Sequence, residues 1–391
     1  MNKLIKDRNT VRYAVLAVAL IFFAVRAVQM TAEISTFLAH PAATLYLLDF
    51  NFYLGSRTFI GSILTLLTPH ITIGQIFALN ITVYALSIVA FFAMGVYTFK
   101  KSIKENNDFL FLTAILFIVS PYGLLQFSNW VGTYDIYLSL FAVLCAILSG
   151  KKGLHWLCPV ICVAAIFTHY AFAFSFYPAV LAVQIYNIIT ADKKLGRILS
   201  AATGLAVSFV SAVYCGFFAN STIKMTRHEL YAYMAERLGT EVENKAYIDS
   251  YYFQDDVFGM LGGFKNSIVN EEFIKNFSLF FLPVALGFFA LWTYYITRKE
   301  KKQIISGAFF ILTLGVSVAL IFTIIEAPRW QTAALLSQFL IFFTVIKKDD
   351  PTILDCLAKL NKKPYIIAMS AFVVLSMVAS FLIEPFYGPG L

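Results

Sequence analysis

Apolar residues run along this chain in blocks of 13 to 25, separated by Lys/Arg clusters or by polar and aromatic turns. Nearly uncharged blocks of this kind predict membrane-spanning helices. They cover 13–30, 73–97, 109–125, 130–149, 156–168, 171–189, 198–218, 277–296, 304–325, 330–346 and 365–383. About eleven spans make the expected fold all-α and polytopic. The pair 156–168 and 171–189 occupies only 34 residues, short for two crossings. Its turn at Thr168, His169 and Tyr170 is therefore expected below headgroup level. Two longer pieces interrupt the blocks, a first loop over 31–72 and a cap over 219–275. Within the first, Phe59, Ile60, Ile63, Leu64 and Leu67 recur at helical spacing against Thr58, Ser62 and Thr65, which predicts an interfacial helix over 58–67. Within the second, Leu230, Tyr233, Met234 and Leu238 predict a helix over 228–238. Gly259, Gly262 and Gly263, with Tyr247, Tyr251 and Tyr252, suit a mobile, ligand-facing loop. No repeat divides the chain, so 1–391 reads as a single transmembrane domain.

Charge assigns the sides. Twenty-one of the 30 Lys and Arg residues form six clusters, at 3–12, 100–104, 151–152, 193–197, 298–302 and 347–363. The positive-inside rule places all six in the cytoplasm, with the N-terminus inside and the C-terminus outside. With eight neighbouring acids that side carries +13, while nine bases and 14 acids leave −5 on the other. The pI near 9.1 thus reports topology and contact with anionic membrane lipid, and no nucleic-acid partner is expected. A composition 60% hydrophobic and 13% charged, with mean hydropathy +0.76, agrees with a multi-pass protein of the cell membrane, expected to be the bacterial cytoplasmic membrane. Residues 13–30 lack a cleavage motif and are expected to remain as an anchor. Cys145, Cys158, Cys162, Cys215 and Cys356 suggest neither a disulfide nor a metal site.

Charges near bilayer depth are costly, so the few on the outer side nominate chemistry. Asp49 lies among aromatics in 45–53, a setting that makes a carboxylate a stronger proton acceptor; it reads as a general base or as a partner of Arg57. Asp135 opens a later span, either as a second catalytic acid or as complement to the helix dipole. The turn before it supplies Gln126, Asn129, Trp130 and Tyr134, residue types that bind sugar hydroxyls. Arg329, in 326–330, can grip a phosphate with its guanidinium fork or pair with Glu326. His169 faces the same side and can donate to a phosphate or serve packing. Gly-rich phosphate loops, Cys-x-x-Cys, His-Glu-x-x-His and Gly-x-Ser-x-Gly do not occur, and the cytoplasmic loops are too short for a nucleotide-sugar domain. An activated substrate must then arrive dissolved in the membrane.

With Asp49 in a long first outer loop, an interfacial helix after it, Asp135 opening a later span, His169 on a short hairpin and Arg329 in a late outer loop, the chain resembles the GT-C class of polytopic glycosyltransferases. That resemblance implies transfer of a sugar from a polyprenyl-phosphate carrier to a glycan or lipid acceptor on the extracytoplasmic face. It implies Asp49 and Asp135 as catalytic acids, and Arg329, Arg57 and His169 as ligands of the donor phosphate. Many members carry two adjacent acids in the first loop, whereas Phe50 and Asn51 follow Asp49 here, and no metal or other cofactor is assigned. A polysaccharide polymerase of the Wzy/EpsG type is similar at this level, and a lipid-linked-sugar flippase or transporter shares the hydrophobicity. A transporter would carry repeats and midplane charges, neither of which the sequence shows.

Overall fold

A computed structural model describes residues 2–37, 44–242, 248–249, 252, 277–298, 300–323 and 327–382. Among these residues the chain is helical, with no strand. The helices are α1 (Asn2–Phe37), α2 (Phe59–Leu67), α3 (Ile73–Lys104), α4 (Asp108–Val119), α5 (Asp135–Ser149), α6 (Leu157–Thr168) and α7 (Phe172–Ser175). There follow α8 (Tyr177–Ile189), α9 (Leu195–Val213), α10 (Arg227–Leu238), α11 (Leu282–Thr297), α12 (Lys301–Thr323), α13 (Ala327–Lys347), α14 (Pro351–Leu360) and α15 (Lys363–Leu382).

Every expected apolar block is helical over most of its length. Eight of the described segments are long and apolar enough to cross a membrane, and three more, Asp135–Ser149, Leu154–Thr168 and Tyr177–Ile189, are shorter. Local chemistry explains the breaks. Pro121 removes a backbone donor, ending α4 at Val119 before the 3-10 turn Leu124–Trp130. Gly132, at φ 91°, holds the turn that delays the next helix to Asp135. The expected helix over 171–189 is split into α7 and α8, the second opening with Pro178 in its first turn. The helices expected over 58–67 and 228–238 form as α2 and α10, within a residue of those bounds. The expected glycine-rich loop at 259–263, with Tyr247 and Tyr251, lies outside the described residues.

The chain divides into two compact units: 1–31, 88–129 and 269–391 form the first; 32–87 and 130–268 form the second. In the first, α11, α12, α13 and α14 pack together, and α4 packs on α14 and α15. Its core is aromatic, with the Trp292 ring centroid 4.7 Å from that of Phe310 at a tilt of 57°, and Trp292 donating to Gln338 Oε1 at 2.7 Å. Such pairing matters where no water can satisfy a polar atom. The basic clusters meet acids at one end of this unit. Arg8 and Arg12 clamp Asp108, Lys101 reaches Asp349 at 2.6 Å, and Arg298 and Lys359 share Asp355.

In the second unit α5, α6, α8 and α9 pack as a bundle, with α2 against α6. Cys145, Cys158 and Cys162 fill the α5–α6 contact, and the Cys145 and Cys162 sulfurs stand 3.9 Å apart. Here too the basic turns converge: Arg197 donates to the carbonyls of Gly150 and Asn187, and Ser200 to that of His155. Large apolar side chains, among them Phe209, Val210 and Phe217, stand exposed on α9 and the turn after it. A surface of this kind suits lipid and not water.

Candidate functional site

At the end of the second unit away from its basic turns, the segment 44–58 folds against α2, α5, α10 and the α6–α7 turn. Gly61 makes the fold of this segment possible. A Cβ there would lie 1.8 Å from the Leu48 carbonyl oxygen, so only glycine lets α2 pass so close. Asp49 then turns inward, 1% exposed. Its Oδ1 accepts the Asn51 backbone N–H at 2.9 Å, an Asx-type turn. Its Oδ2 accepts from Thr65 Oγ1 at 2.6 Å, the Tyr233 hydroxyl, and Arg237 Nη1 at 3.3 Å. Tyr233 and Arg237 stand four apart on α10, on one face of the helix.

In sequence Asp49 reads as a general base or as a partner of Arg57; the cation bound to its carboxylate is Arg237. Arg237 is 4% exposed and also donates to the Leu47 carbonyl at 2.6 Å, while its Nε and Nη2 have no hydrogen-bond partner. Burial, then the Asp49 carboxylate, raises the Tyr233 phenol above its ordinary range, keeping it protonated as a donor. Helix α10 is fastened at both ends. Thr226 and Glu229 form a reciprocal capping box, and Gly239 ends the helix at φ 72°.

Arg57 points to a second cluster. Its backbone is left-handed at φ 72°, a conformation a non-glycine residue adopts only under tertiary constraint. Part of that constraint is Tyr134, whose hydroxyl is shared between the Leu45 carbonyl at 2.8 Å and the Arg57 carbonyl at 3.1 Å. The Arg57 Nη2 stands 3.3 Å from His169 Nε2. His169 Nδ1 accepts the Ala171 backbone N–H at 3.1 Å, which puts the proton of a neutral ring on Nε2. The Arg57 guanidinium and the His169 Nε2–H thus stand side by side, a donor set suited to an oxyanion. Ser56 fixes the neighbouring turn by accepting the Tyr170 N–H at 3.1 Å.

The remaining expected residues fall as follows. Asp135 is buried as the first residue of α5, where its charge complements the helix dipole. Trp130 is buried with Phe176 edge-on at 6.5 Å, and Tyr134 is committed to the Leu45 and Arg57 carbonyls, so it braces the site loop. Gln126 and Asn129 belong to the first unit and bond to each other at 2.9 Å. Arg329 also belongs to the first unit, in the first turn of α13, with its guanidinium 5.7 Å from the Trp330 ring. Its expected alternative partner Glu326 lies outside the described residues. Sequence reasoning missed Arg237, Tyr233 and Thr65 as ligands of Asp49. Their signal was present in part, since Tyr233 already belonged to the apolar stripe of the cap helix and Arg237 follows one turn later.

Among the described residues no group of three His, Cys, Asp or Glu side chains is placed to hold a metal ion. No family model, curated protein or solved structure matches the chain.

Proposed function

We propose that this protein is a multi-pass membrane glycosyltransferase that moves a sugar from a polyprenyl-phosphate carrier to a glycan or lipid hydroxyl on the extracytoplasmic face, in cell-surface polysaccharide or glycolipid assembly. The observation that carries the reading is the Arg57–His169 donor pair, with Arg57 on a strained loop that also bears buried Asp49 and His169 on the α6–α7 turn. The basic turns belong in the cytoplasm, so the opposite end of the second unit is the outer one. The 15 residues of α5 rise about 22 Å, and α6 and α8 less, against a hydrocarbon core of about 30 Å. The site is therefore recessed in the outer leaflet, where a lipid-linked phosphate can enter sideways.

In the proposed reaction the acceptor oxygen attacks the anomeric carbon as its proton passes to Asp49 Oδ1, the carboxylate oxygen with fewer donors. The bond from that carbon to the phosphate oxygen breaks, its electron pair leaves with the phosphate, and Arg57 and His169 Nε2–H neutralise the charge. Preorganised donors of this kind commonly contribute a few kcal/mol of barrier each. Because Asp49 is covered by Tyr233 and Arg237, α10 must lift for the acceptor to reach it. Asp135, buried at the first turn of α5, is the second acid of the reading.

The test is transfer from a polyprenyl-phosphate sugar in lipid nanodiscs. Arg57→Lys and His169→Gln should each lower turnover at least tenfold, since an ammonium lacks the guanidinium fork. Asp49→Asn should lower it by about 10²–10⁴. Wild-type turnover in all three would exclude the mechanism. Arg329→Lys in the same assay tests the expected role of Arg329 as a phosphate ligand, and unchanged transfer would remove it from the mechanism. Movement of lipid-linked sugar across the bilayer without transfer would favour a flippase, and chain extension of the product a polymerase.

A further inference from the structure

The first unit contains a cavity of about 520 Å³, lined by α4, α11, α13, α14 and α15 and distinct from the site above. Its floor is Phe288, Phe339 and Phe342, packed edge to face. Along α11 it extends from Pro283 to Tyr294, about 16 Å at the helical rise and roughly half the hydrocarbon core, or one leaflet. Apart from Thr113 and two tyrosine hydroxyls the lining carries no polar side chain other than the Cys356 thiol, so a soluble metabolite would find few partners there. One end differs sharply. The Tyr294 ring lines the cavity, while its hydroxyl meets Arg298, donates to Asp355 at 2.6 Å and lies 2.7 Å from Lys359 Nζ. Arg298 and Lys359 share the single carboxylate of Asp355. The flanking stretches 298–302 and 359–363 hold seven bases and one acid.

We propose that this cavity is a binding site for one acyl chain of an anionic phospholipid of the cytoplasmic leaflet, with its phosphate held by Arg298 and Lys359. An apolar slot one leaflet long, with a basic, partly neutralised mouth at the headgroup level, matches that ligand in length and charge. A polyprenyl carrier fits it poorly, because its chain far exceeds the slot and its sugar is proposed to react on the other face. Small residues keep the slot open. Gly287 lines it, and a Cβ there would meet nothing within 4 Å, so a larger side chain can fill the slot without disturbing the backbone.

The experiment is native mass spectrometry of delipidated protein titrated with phosphatidylglycerol or phosphatidylcholine of identical chains, or with polyprenyl phosphate. Wild-type protein should retain one phosphatidylglycerol about tenfold more tightly than phosphatidylcholine, the scale expected for one or two cations near a phosphate. Gly287→Phe should weaken both about tenfold. The double variant Arg298→Gln with Lys359→Gln should keep chain binding and lose the headgroup preference. Ala290→Leu, a second filling variant of the same wall, decides the matter if Gly287→Phe does not elute as a single species. Equal retention of the two phospholipids by wild type, unchanged retention in a filled variant, or preference for polyprenyl phosphate would each overturn the assignment.

Discussion

Asp49 and Arg237 are separated by 188 positions and meet with side chains 1% and 4% exposed. A buried pair contributes little net stability, but removing one partner strands the other charge. Asp49→Asn and Arg237→Met should each destabilise the folded protein by about 3–5 kcal/mol, and the double variant by clearly less than their sum. Reversible unfolding in detergent measures the cycle, and strict additivity would dissolve the pair as a unit. Arg57 behaves oppositely. Its left-handed backbone costs about 1–2 kcal/mol, so Arg57→Gly should leave the protein at least as stable while sugar transfer is lost. A melting temperature well below wild type would mean that the side chain holds the loop together. Asp49 and Arg57 were legible in sequence as rare charges beside aromatics. Their partners were not, because a pairing across 188 residues is set by packing and leaves no local periodicity.

Helix α10 couples this chemistry to pH. Glu229 sits below the ordinary carboxylate range because the Thr226 N–H and hydroxyl bond to it. The folded chain thus binds that proton less tightly than the unfolded one, so the cap's contribution is complete above about pH 4.5 and fades as pH falls. Tyr233 is raised, chiefly by burial, so its contribution is complete below about pH 10.0 and declines as pH rises through and beyond that value. Stability against pH should show both limbs. Glu229→Gln should flatten the acid limb and Tyr233→Phe the alkaline one, each read as melting temperature across the range; limbs unmoved by these variants would assign the titrations elsewhere. Thr226→Ala should cost about 1 kcal/mol through the lost cap. Amphipathic α14 was absent from the sequence reading although its start is written plainly. Asp350 accepts from the N–H groups of Thr352 and Ile353, and Pro351 occupies the first turn.

For the whole molecule, the proposed topology predicts that cysteines introduced at 151 and 194 react with impermeant reagents only from the cytoplasm and one at 240 only from outside, in a background stripped of native thiols. Labelling of all three from one side would reverse the assignment. The sequence alone determined that the chain is a stack of apolar helices, where they begin to within about five residues except for the first, which starts at Asn2 and not at Tyr13, and which turns are basic. Those properties are local, since the hydrocarbon core selects length and apolarity segment by segment, and lipid headgroups select charge turn by turn. Tertiary structure alone decided that the blocks sort into two units, that Asp49 binds Arg237 while Arg57 faces His169, and that Gln126, Asn129 and Arg329 belong to a different unit from Asp49. Each of these depends on which faces of equally apolar helices pack together. In a membrane, burial against lipid and burial against protein are nearly alike to the hydrophobic effect, so shape, small residues and polar pairing make the choice.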